Sequence, residues 1–303
     1  RGLYVVLFGA ICLAAQVLLQ YTRYVAVLKW TALVLFTYFG TVLMVKVPWG
    51  QVAYGLFVPR FSSGKDFIGI VVAVMGTTIS PYLFFWQSSQ EVEDLHARPQ
   101  REPLIEAPRQ APGAFRRIRL DTYFGMAISN FVALAIMVTT AATLHRHGVT
   151  NIQTSAQAAQ ALRPVAGRFA SLVFALGIIG TGFMAVPILA GSAAYAIGEA
   201  RRWPVGLARK PMEAKAFYLV LAVASIIGVL LNFLSLDPIR ALYWSAVING
   251  VLAAPIMTAM MLLASRRDVM GAFTLPPGLK LIGWIAVLVM AASTAGLVAT
   301  LLM

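Results

Sequence analysis

Charged side chains, histidines and cysteines are all scarce in this sequence. Of its 303 residues 12% are charged and 60% are hydrophobic, with 11 acidic residues, 3 histidines and 1 cysteine. A soluble domain is about one quarter charged, so this composition excludes an ordinary soluble protein. The single cysteine, Cys12, lies in an apolar run, which excludes an intramolecular disulfide and a cysteine-rich metal site.

The apolar runs also lack the groups that most enzymes use. No Asp, Glu or His lies deep within them, because His96, His145 and His147 all fall in or beside polar segments. A metalloprotease-like histidine pair, a Gly-rich phosphate loop and a nucleophile–base pair are likewise absent from the sequence pattern. These absences argue against an enzyme.

What the sequence has instead is long apolar runs. A helix needs about 20 apolar residues to cross the hydrocarbon core of a bilayer. The mean hydropathy is +0.80, and eight runs are predicted to span a membrane: 3–20, 25–45, 67–88, 122–144, 169–197, 217–234, 239–264 and 281–303. We therefore expect an all-α integral membrane protein in a lipid bilayer, with residues 1–303 forming a single transmembrane domain.

The polar segments indicate the topology. The longest, 91–121, holds four prolines and charges of both signs, and it is predicted to be a flexible cytoplasmic loop. With that assignment, alternation of the spans places most of the 24 Lys and Arg residues on the cytoplasmic side, as the positive-inside rule requires. The net charge of +13 is therefore attributed to membrane topology and not to nucleic-acid binding. The short apolar segment 51–61 is expected at the interface, and the Gln- and Ala-rich segment 151–162 is expected to form a surface helix.

The third run is the most informative. Pro81 removes a backbone donor and clashes with the preceding turn, and small or hydroxyl residues gather before it: Gly76, Thr77, Thr78 and Ser80. This pattern predicts an unwound break in mid-membrane, where unpaired carbonyls are tolerated only inside protein or beside a wet cavity. Broken helices carry the substrate sites of many secondary transporters. The alternative is a simple proline kink whose hydroxyls bond back to the helix.

Two further features have two interpretations each, and a third has one. Asn249 in the seventh run is a polar group that belongs either to a site or to an inter-helical hydrogen bond. The acidic cluster after the third run is expected to face water, with an exit vestibule for cations as the alternative; it comprises Glu91, Glu93 and Asp94. Glycines in the fifth run are expected to form a small-residue packing surface; they are Gly177, Gly180, Gly182 and Gly191.

The third run also resembles a known family. Residues 76–90 are similar to the sixth transmembrane helix of Nramp-type divalent metal transporters, closest to the divergent Nramp-related branch, some of whose members handle Mg²⁺. Such helices carry an Ala-Thr-Val-Met-Pro-His core followed by a second His and a Ser. The matching run here is Thr77-Thr78-Ile79-Ser80-Pro81-Tyr82, with Gln87 and Ser88 further on. The likeness in span order and loop lengths covers essentially the whole chain.

The resemblance implies a fold and a set of site residues. The fold is LeuT-like, of the APC superfamily, with two inverted five-helix repeats and one extra helix. By the resemblance, this chain corresponds to helices 4–11 of the family. The first three helices, which carry a metal-binding Asp-Pro-Gly-Asn motif, are then expected to be absent from this sequence and to act as partners of it within the same polypeptide. By the same resemblance Thr77 supplies a backbone carbonyl to the metal, Ser80 stands at the Met ligand, and Tyr82 stands at the first His. Asn249 falls near a tenth-helix Gln that approaches the metal. The remaining pathway residues are Thr78, Pro81 and Gln87.

The departures from the family pattern bear on selectivity and coupling. A Met thioether is soft and favours transition metals, whereas the hard oxygen of Ser80 suits Mg²⁺ or Mn²⁺. Tyr82 and Gln87 replace histidines that titrate near neutral pH, so these residues do not support proton coupling through this helix.

The implied function is secondary transport of a divalent cation, Mn²⁺, Mg²⁺ or Fe²⁺, across a bacterial inner membrane by alternating access. The metal ion is then the substrate, and no cofactor is expected. Two alternatives stay open: a LeuT-like carrier of an organic solute such as an amino acid, and a non-transporting scaffold or remnant.

Overall fold

Helices account for nearly all the regular structure of the chain. The computed structural model describes residues 2–19, 21–58, 65–98, 100–145, 148, 152, 154–234 and 236–302, and within these ranges it has no strand. Its α-helices are α1 (Gly2–Leu18), α2 (Tyr21–Ala32), α3 (Phe36–Met44), α4 (Trp49–Phe57), α5 (Lys65–Thr78), α6 (Pro81–His96), α7 (Ala111–Ala142), α8 (Ser155–Ala200), α9 (Lys215–Leu231), α10 (Pro238–Ser265), α11 (Arg267–Met270) and α12 (Pro277–Leu302). Single 3-10 turns lie at Leu33–Leu35 and Pro108–Gln110.

Eight apolar helical segments match the eight predicted spans. Among the described residues, six are long and apolar enough to cross a membrane: Arg23–Met44, Phe67–His96, Pro108–Ala142, Ser171–Ala200, Pro238–Ser265 and Pro277–Thr300. The helices α1 and α9 are apolar but shorter. The prediction of an all-α, multi-pass membrane protein is therefore confirmed in its helix content and in the order of its spans.

The polar stretch 91–121 contains more helix than expected. Helix α6 continues to His96, and α7 already begins at Ala111, so the expected loop is wrong at both ends. Charged residues and prolines are typical of loops, so the sequence pattern does not indicate the two helix ends in this stretch. Pro112 falls in the first turn of α7, where a proline is tolerated because its missing N–H would have no helical partner there. The placement of this segment in the cytoplasm stays a prediction.

Two other segments were assigned from composition. The helix α4 covers most of the segment 51–61, of which residues 59–61 lie outside the described part of the chain. The segment 151–162 is helical from Ser155 onward, with a reciprocal capping box between Thr154 and Gln157. It is joined to the apolar part of α8 through Gly167, whose φ of 83° and ψ of 168° are not helical. The predicted helix is confirmed, whereas its place on the membrane surface stays a prediction.

The chain folds as two compact units. The first comprises Arg1–Pro59, Phe85–Ala97 and Ile118–Arg240, and the second comprises Arg60–Phe84, Arg98–Arg117 and Ala241–Met303. In the first unit, the buried side chains of Tyr24, Tyr195, Phe217 and Leu221 form one core cluster, against which Trp86 packs.

The glycines of α8 form a packing surface in the first unit. A Cβ added to Gly177 would lie 2.7 Å from Thr37 Oγ1. At Gly180 and Gly191 the added carbon would overlap Val34 and the Trp86 ring, respectively. The added carbon at Gly182 would make only an ordinary contact, 3.6 Å from Phe8. The predicted small-residue surface is therefore confirmed for three of the four glycines.

The second unit contains α5, α10, α11, α12 and the first residues of α6 and α7. Its core consists of Val72 and Ala73 packed against Val247 and Leu297. At Gly76 the helix α5 meets α10 so closely that an added Cβ would lie 2.7 Å from the Cα of Gly250. This contact fixes α10 against α5 about one turn before the helix break.

Candidate metal-ion site

The predicted break is present and spans two residues. Helix α5 ends at Thr78 and α6 begins at Pro81, which leaves Ile79 and Ser80 between them. The Ile79 N–H still donates to the Met75 carbonyl at 2.7 Å, and the Leu83 N–H donates to the Ser80 carbonyl at 3.0 Å. The backbone is therefore interrupted only at the site that Pro81 dictates.

The Ser80 hydroxyl is the centre of the break. Ser80 is 1% exposed, and its Oγ lies 2.7 Å from the Gly76 carbonyl oxygen and 3.0 Å from the Thr77 carbonyl oxygen. A hydroxyl has one proton and two acceptor lone pairs, so it satisfies one of these carbonyls fully at any moment. Pro81 has no N–H to give to Thr77, which lies four residues before it. The Thr77 carbonyl oxygen and the Ser80 hydroxyl oxygen are thus adjacent, and both have unused lone pairs that are available to a metal ion.

The threonine hydroxyls behave as the kink interpretation predicts. Thr77 Oγ1 donates to the Ala73 carbonyl and Thr78 Oγ1 donates to the Val74 carbonyl, both at 2.9 Å. Both side chains therefore bond back one turn along α5. A role for Thr77 at a metal thus falls to its carbonyl, and the hydrogen bond of the Thr78 hydroxyl stays within α5.

The contact between α5 and α10 determines where Asn249 lies. Asn249 is half-buried and directly precedes Gly250, whose backbone touches Gly76. Because Gly76 also accepts the Ser80 hydroxyl bond, the backbone at Asn249 lies close to the turn of α5 that leads into the break. Thr77, Ser80 and Asn249 are thereby brought to one region of the second unit.

Two predicted residues are less closely associated with the break. Tyr82 is half-buried in the first turn of α6. Gln87 lies six residues beyond Pro81, and its Nε2 donates to Thr122 Oγ1 of α7 at 3.3 Å. The structure therefore gives Gln87 a partner within the first unit.

The candidate ligands share one chemistry. A backbone carbonyl, a hydroxyl, a phenol and an amide are all neutral oxygen donors, the kind that Mg²⁺ and Mn²⁺ accept. Across the described ranges, no group of three or more His, Cys, Asp or Glu side chains is placed to hold a metal. A divalent ion at the break would therefore bind oxygen atoms and its own retained waters, and not a ring of carboxylates.

Sequence reasoning missed a buried, hydrogen-bonded carboxylate of the first unit. The sequence pattern predicts that Glu93 faces water together with Glu91 and Asp94, but Glu93 is only 4% exposed. Its Oε1 accepts from the Tyr195 hydroxyl at 2.8 Å and from the Leu207 N–H at 2.7 Å, and its Oε2 accepts from the Ala208 N–H at 3.1 Å. The expectation was wrong for Glu93 because its partners lie more than one hundred residues further along the chain. A local signal existed in the spacing of Trp86, Ser89 and Glu93, which places them on one face of α6.

The first unit contains an apolar cavity that does not suit a cation. It measures about 890 Å³ and is lined by apolar side chains of α1, α8 and α9, with Ser225 and Asn232 as its polar residues. A divalent ion that entered this cavity would lose its water ligands, and the apolar lining would not replace them. The break thus remains the better candidate for metal binding.

Comparison with known proteins places the chain in a family. The family model described as natural resistance-associated macrophage protein-like, Nramp, matches residues 2–300. Similar proteins include the divalent metal cation transporters MntH of Klebsiella pneumoniae (strain 342), 25% identical over 235 residues, and of Deinococcus radiodurans, 28% identical over 238 residues. These matches cover 77% and 78% of this chain but 51% and 50% of the relatives, so the chain spans about half the length of the curated relatives it matches. Because the family model matches residues 2–300 of the 303, and the described residues form an all-α architecture with apolar spans, the chain belongs to the Nramp family.

Proposed function

We propose that this chain belongs to a secondary transporter that moves divalent metal cations across a bacterial inner membrane by alternating access around the α5–α6 break. The metal ion is the substrate, with Mn²⁺ and Mg²⁺ as the preferred candidates, and transport, not catalysis, is the activity. Family membership supports metal transport in general, and the named function of the MntH relatives agrees with it.

The observation that carries the proposal is the pairing of the Thr77 carbonyl with the Ser80 hydroxyl directly before Pro81. A transported ion must be held by groups that replace part of its hydration shell without binding it too tightly to release. Two adjacent neutral oxygens with spare lone pairs meet that requirement. We propose that Tyr82 and Asn249 add further oxygens, and that water or chain outside these 303 residues completes the shell.

Ser80 is proposed to set the preference among metals. A hydroxyl oxygen is a hard ligand, and a thioether is a soft one that favours later transition metals. Replacing Ser80 by Met should therefore move the preference away from Mg²⁺ and Mn²⁺ towards Cd²⁺ or Fe²⁺. The matched control is Ser245→Met on the exposed surface of α10, which introduces the same side chain on a different helix.

The experiment measures influx of Mn²⁺ and Mg²⁺ into proteoliposomes, with the protein from the complete reading frame and with these 303 residues alone. Saturable influx that other divalent metals compete against, and amino acids do not, supports the proposal. A shift in competition by Cd²⁺ with Ser80→Met and none with Ser245→Met assigns selectivity to Ser80. Competition by amino acids instead of metals would establish the organic-solute carrier, and no flux of either kind would favour a non-transporting relative.

A further inference from the structure

The second half of the broken helix is fastened to its neighbours by one carboxylate. Glu93 lies 13 residues beyond Ser80, about 20 Å along α6, and its two oxygens accept three hydrogen bonds of 2.7–3.1 Å. The donors are the Tyr195 hydroxyl of α8 and the two backbone amides that follow Gly206. Hydrogen bonds to a carboxylate are shorter and stronger than those between neutral groups, so three of them make this cluster a strong point of attachment.

The turn that receives Glu93 is itself held from two sides. The Leu207 N–H is shared between Glu93 Oε1 and the Tyr195 hydroxyl oxygen, which lies at 3.2 Å. On the other side, the Tyr218 hydroxyl of α9 donates to the Arg209 carbonyl at 2.9 Å. The carboxylate therefore docks on a turn that is fixed to both α8 and α9.

The rest of the same helix face adds to the attachment. Trp86 packs against Gly191 and the ring of Tyr195, and the buried Ser89 hydroxyl donates to Glu199 Oε1 at 3.1 Å. Residues 86, 89 and 93 follow one stripe of α6. From Trp86 to Glu93, α6 is thus joined to α8 along two turns.

We propose that Glu93 is a positioning residue of the transport cycle: its carboxylate holds the second half of the broken helix against α8 and the 206–208 turn. This inference rests on the transport function proposed above. Since Glu93 lies about 20 Å along the helix from Ser80, it acts on the movement of α6 and not on the metal itself. Loss of the carboxylate should lower the rate of transport and leave the apparent affinity for metal unchanged.

The principal variant is Glu93→Gln, which keeps the size of the side chain but turns an amide N–H₂ towards a backbone N–H donor. The control is Asp268→Asn, which removes an exposed carboxylate paired with Arg266. A second, milder variant is Tyr195→Phe, which withdraws one of the three donors and leaves the carboxylate on its two amides. Each variant is reconstituted as the protein from the complete reading frame, with flux normalised to the amount of folded protein.

A thiol reporter gives a readout that does not require transport. Cys12 is the only cysteine among the 303 residues and is 0% exposed, so Ser89→Cys introduces a second thiol on the attached face of α6. Ser89 is 3% exposed, and the rate at which this thiol reacts with a maleimide reports separation of α6 from α8. Any cysteine outside these 303 residues is replaced before labelling.

The expected result for Glu93→Gln is a maximal Mn²⁺ influx at least fivefold lower, a KM within twofold of the parent, and labelling at position 89 at least tenfold faster. Tyr195→Phe should change influx and labelling in the same direction by a smaller factor, and Asp268→Asn should change neither. A raised KM with unchanged maximal influx would place Glu93 at the metal and overturn the proposal, as would unchanged influx and labelling. If the parent protein moves no metal, the proposed transport function is wrong, and so is the role of Glu93 in transport that rests on it. The labelling rates still decide, independently of transport, whether Glu93 holds α6 to α8.

Discussion

Gly76 of α5 and Gly250 of α10 meet backbone to backbone, because a Cβ added to Gly76 would lie 2.7 Å from the Cα of Gly250 and would overlap the Ala246 carbonyl. Neither neighbour is a flexible side chain that can move aside. The close approach brings the backbone at Asn249 to the turn of α5 that leads into the break. The two glycines are therefore a condition for the candidate site and not only for packing.

Gly76→Ala should destabilise the protein by about 1–3 kcal/mol, the usual cost of overpacking a core. The matched control is Gly125→Ala in α7, where an added Cβ meets nothing within 4 Å. Alanine is favoured over glycine inside a helix by about 0.5–1 kcal/mol, so the control should be neutral or stabilising. Thermal unfolding in detergent measures both, and equal melting temperatures would contradict the close contact.

Pro81→Ala should reduce metal influx because it restores the N–H that Thr77 lacks and favours one continuous helix through the break. Pro255→Ala is the control, since Pro255 also lies inside an apolar helix, α10. Both substitutions add a backbone N–H, but only Pro81→Ala gives the Thr77 carbonyl beside Ser80 a hydrogen-bond partner within the helix. Equal transport by the two variants, measured as Mn²⁺ influx, would show that the break at Pro81 is not required.

Tyr82→His should make transport depend on pH. An imidazole has an ordinary pKa of about 6.5, and its cationic form repels a divalent ion, so influx should fall several-fold as the pH drops from 7.5 to 5.5. The same substitution at the exposed Tyr123 of α7 should leave the pH profile unchanged. Influx measured with a clamped internal pH tests this, and a flat profile for Tyr82→His would remove Tyr82 from the metal path.

Gly206→Ala should weaken the Glu93 attachment. An added Cβ would lie 2.6 Å from Glu93 Oε1, and the φ of 139° disfavours any other residue there. The control, Gly271→Ala, also has a positive φ, of 57°, but meets nothing within 4 Å. The difference in unfolding temperature between the two variants isolates the contact with the carboxylate from the backbone strain. Equal losses would show that strain alone is responsible.

The parts of the fold that could be predicted are those that depend on local sequence. Apolar run length located the spans, and Pro81 located the break, because both effects act within a few residues. The family resemblance then supplied the candidate site. The attachment of Glu93 was not predictable in this way, because an acidic side chain looks the same in sequence whether water or a turn 113–115 residues away receives it. The meeting of Gly76 with Gly250 likewise depends on tertiary packing between distant helices.

The single non-helical residue in α8 has a consequence for how deeply this helix enters the bilayer. As one straight rod, the 46 residues of α8 would measure about 69 Å, more than twice the roughly 30 Å of the hydrocarbon layer. The positive φ of Gly167 bends the chain and ends the straight helix just before the apolar segment Ser171–Ala200. We therefore expect insertion depth to follow the position of this bend and not the total helix length, in agreement with the predicted place of the leading helical turns at the membrane surface.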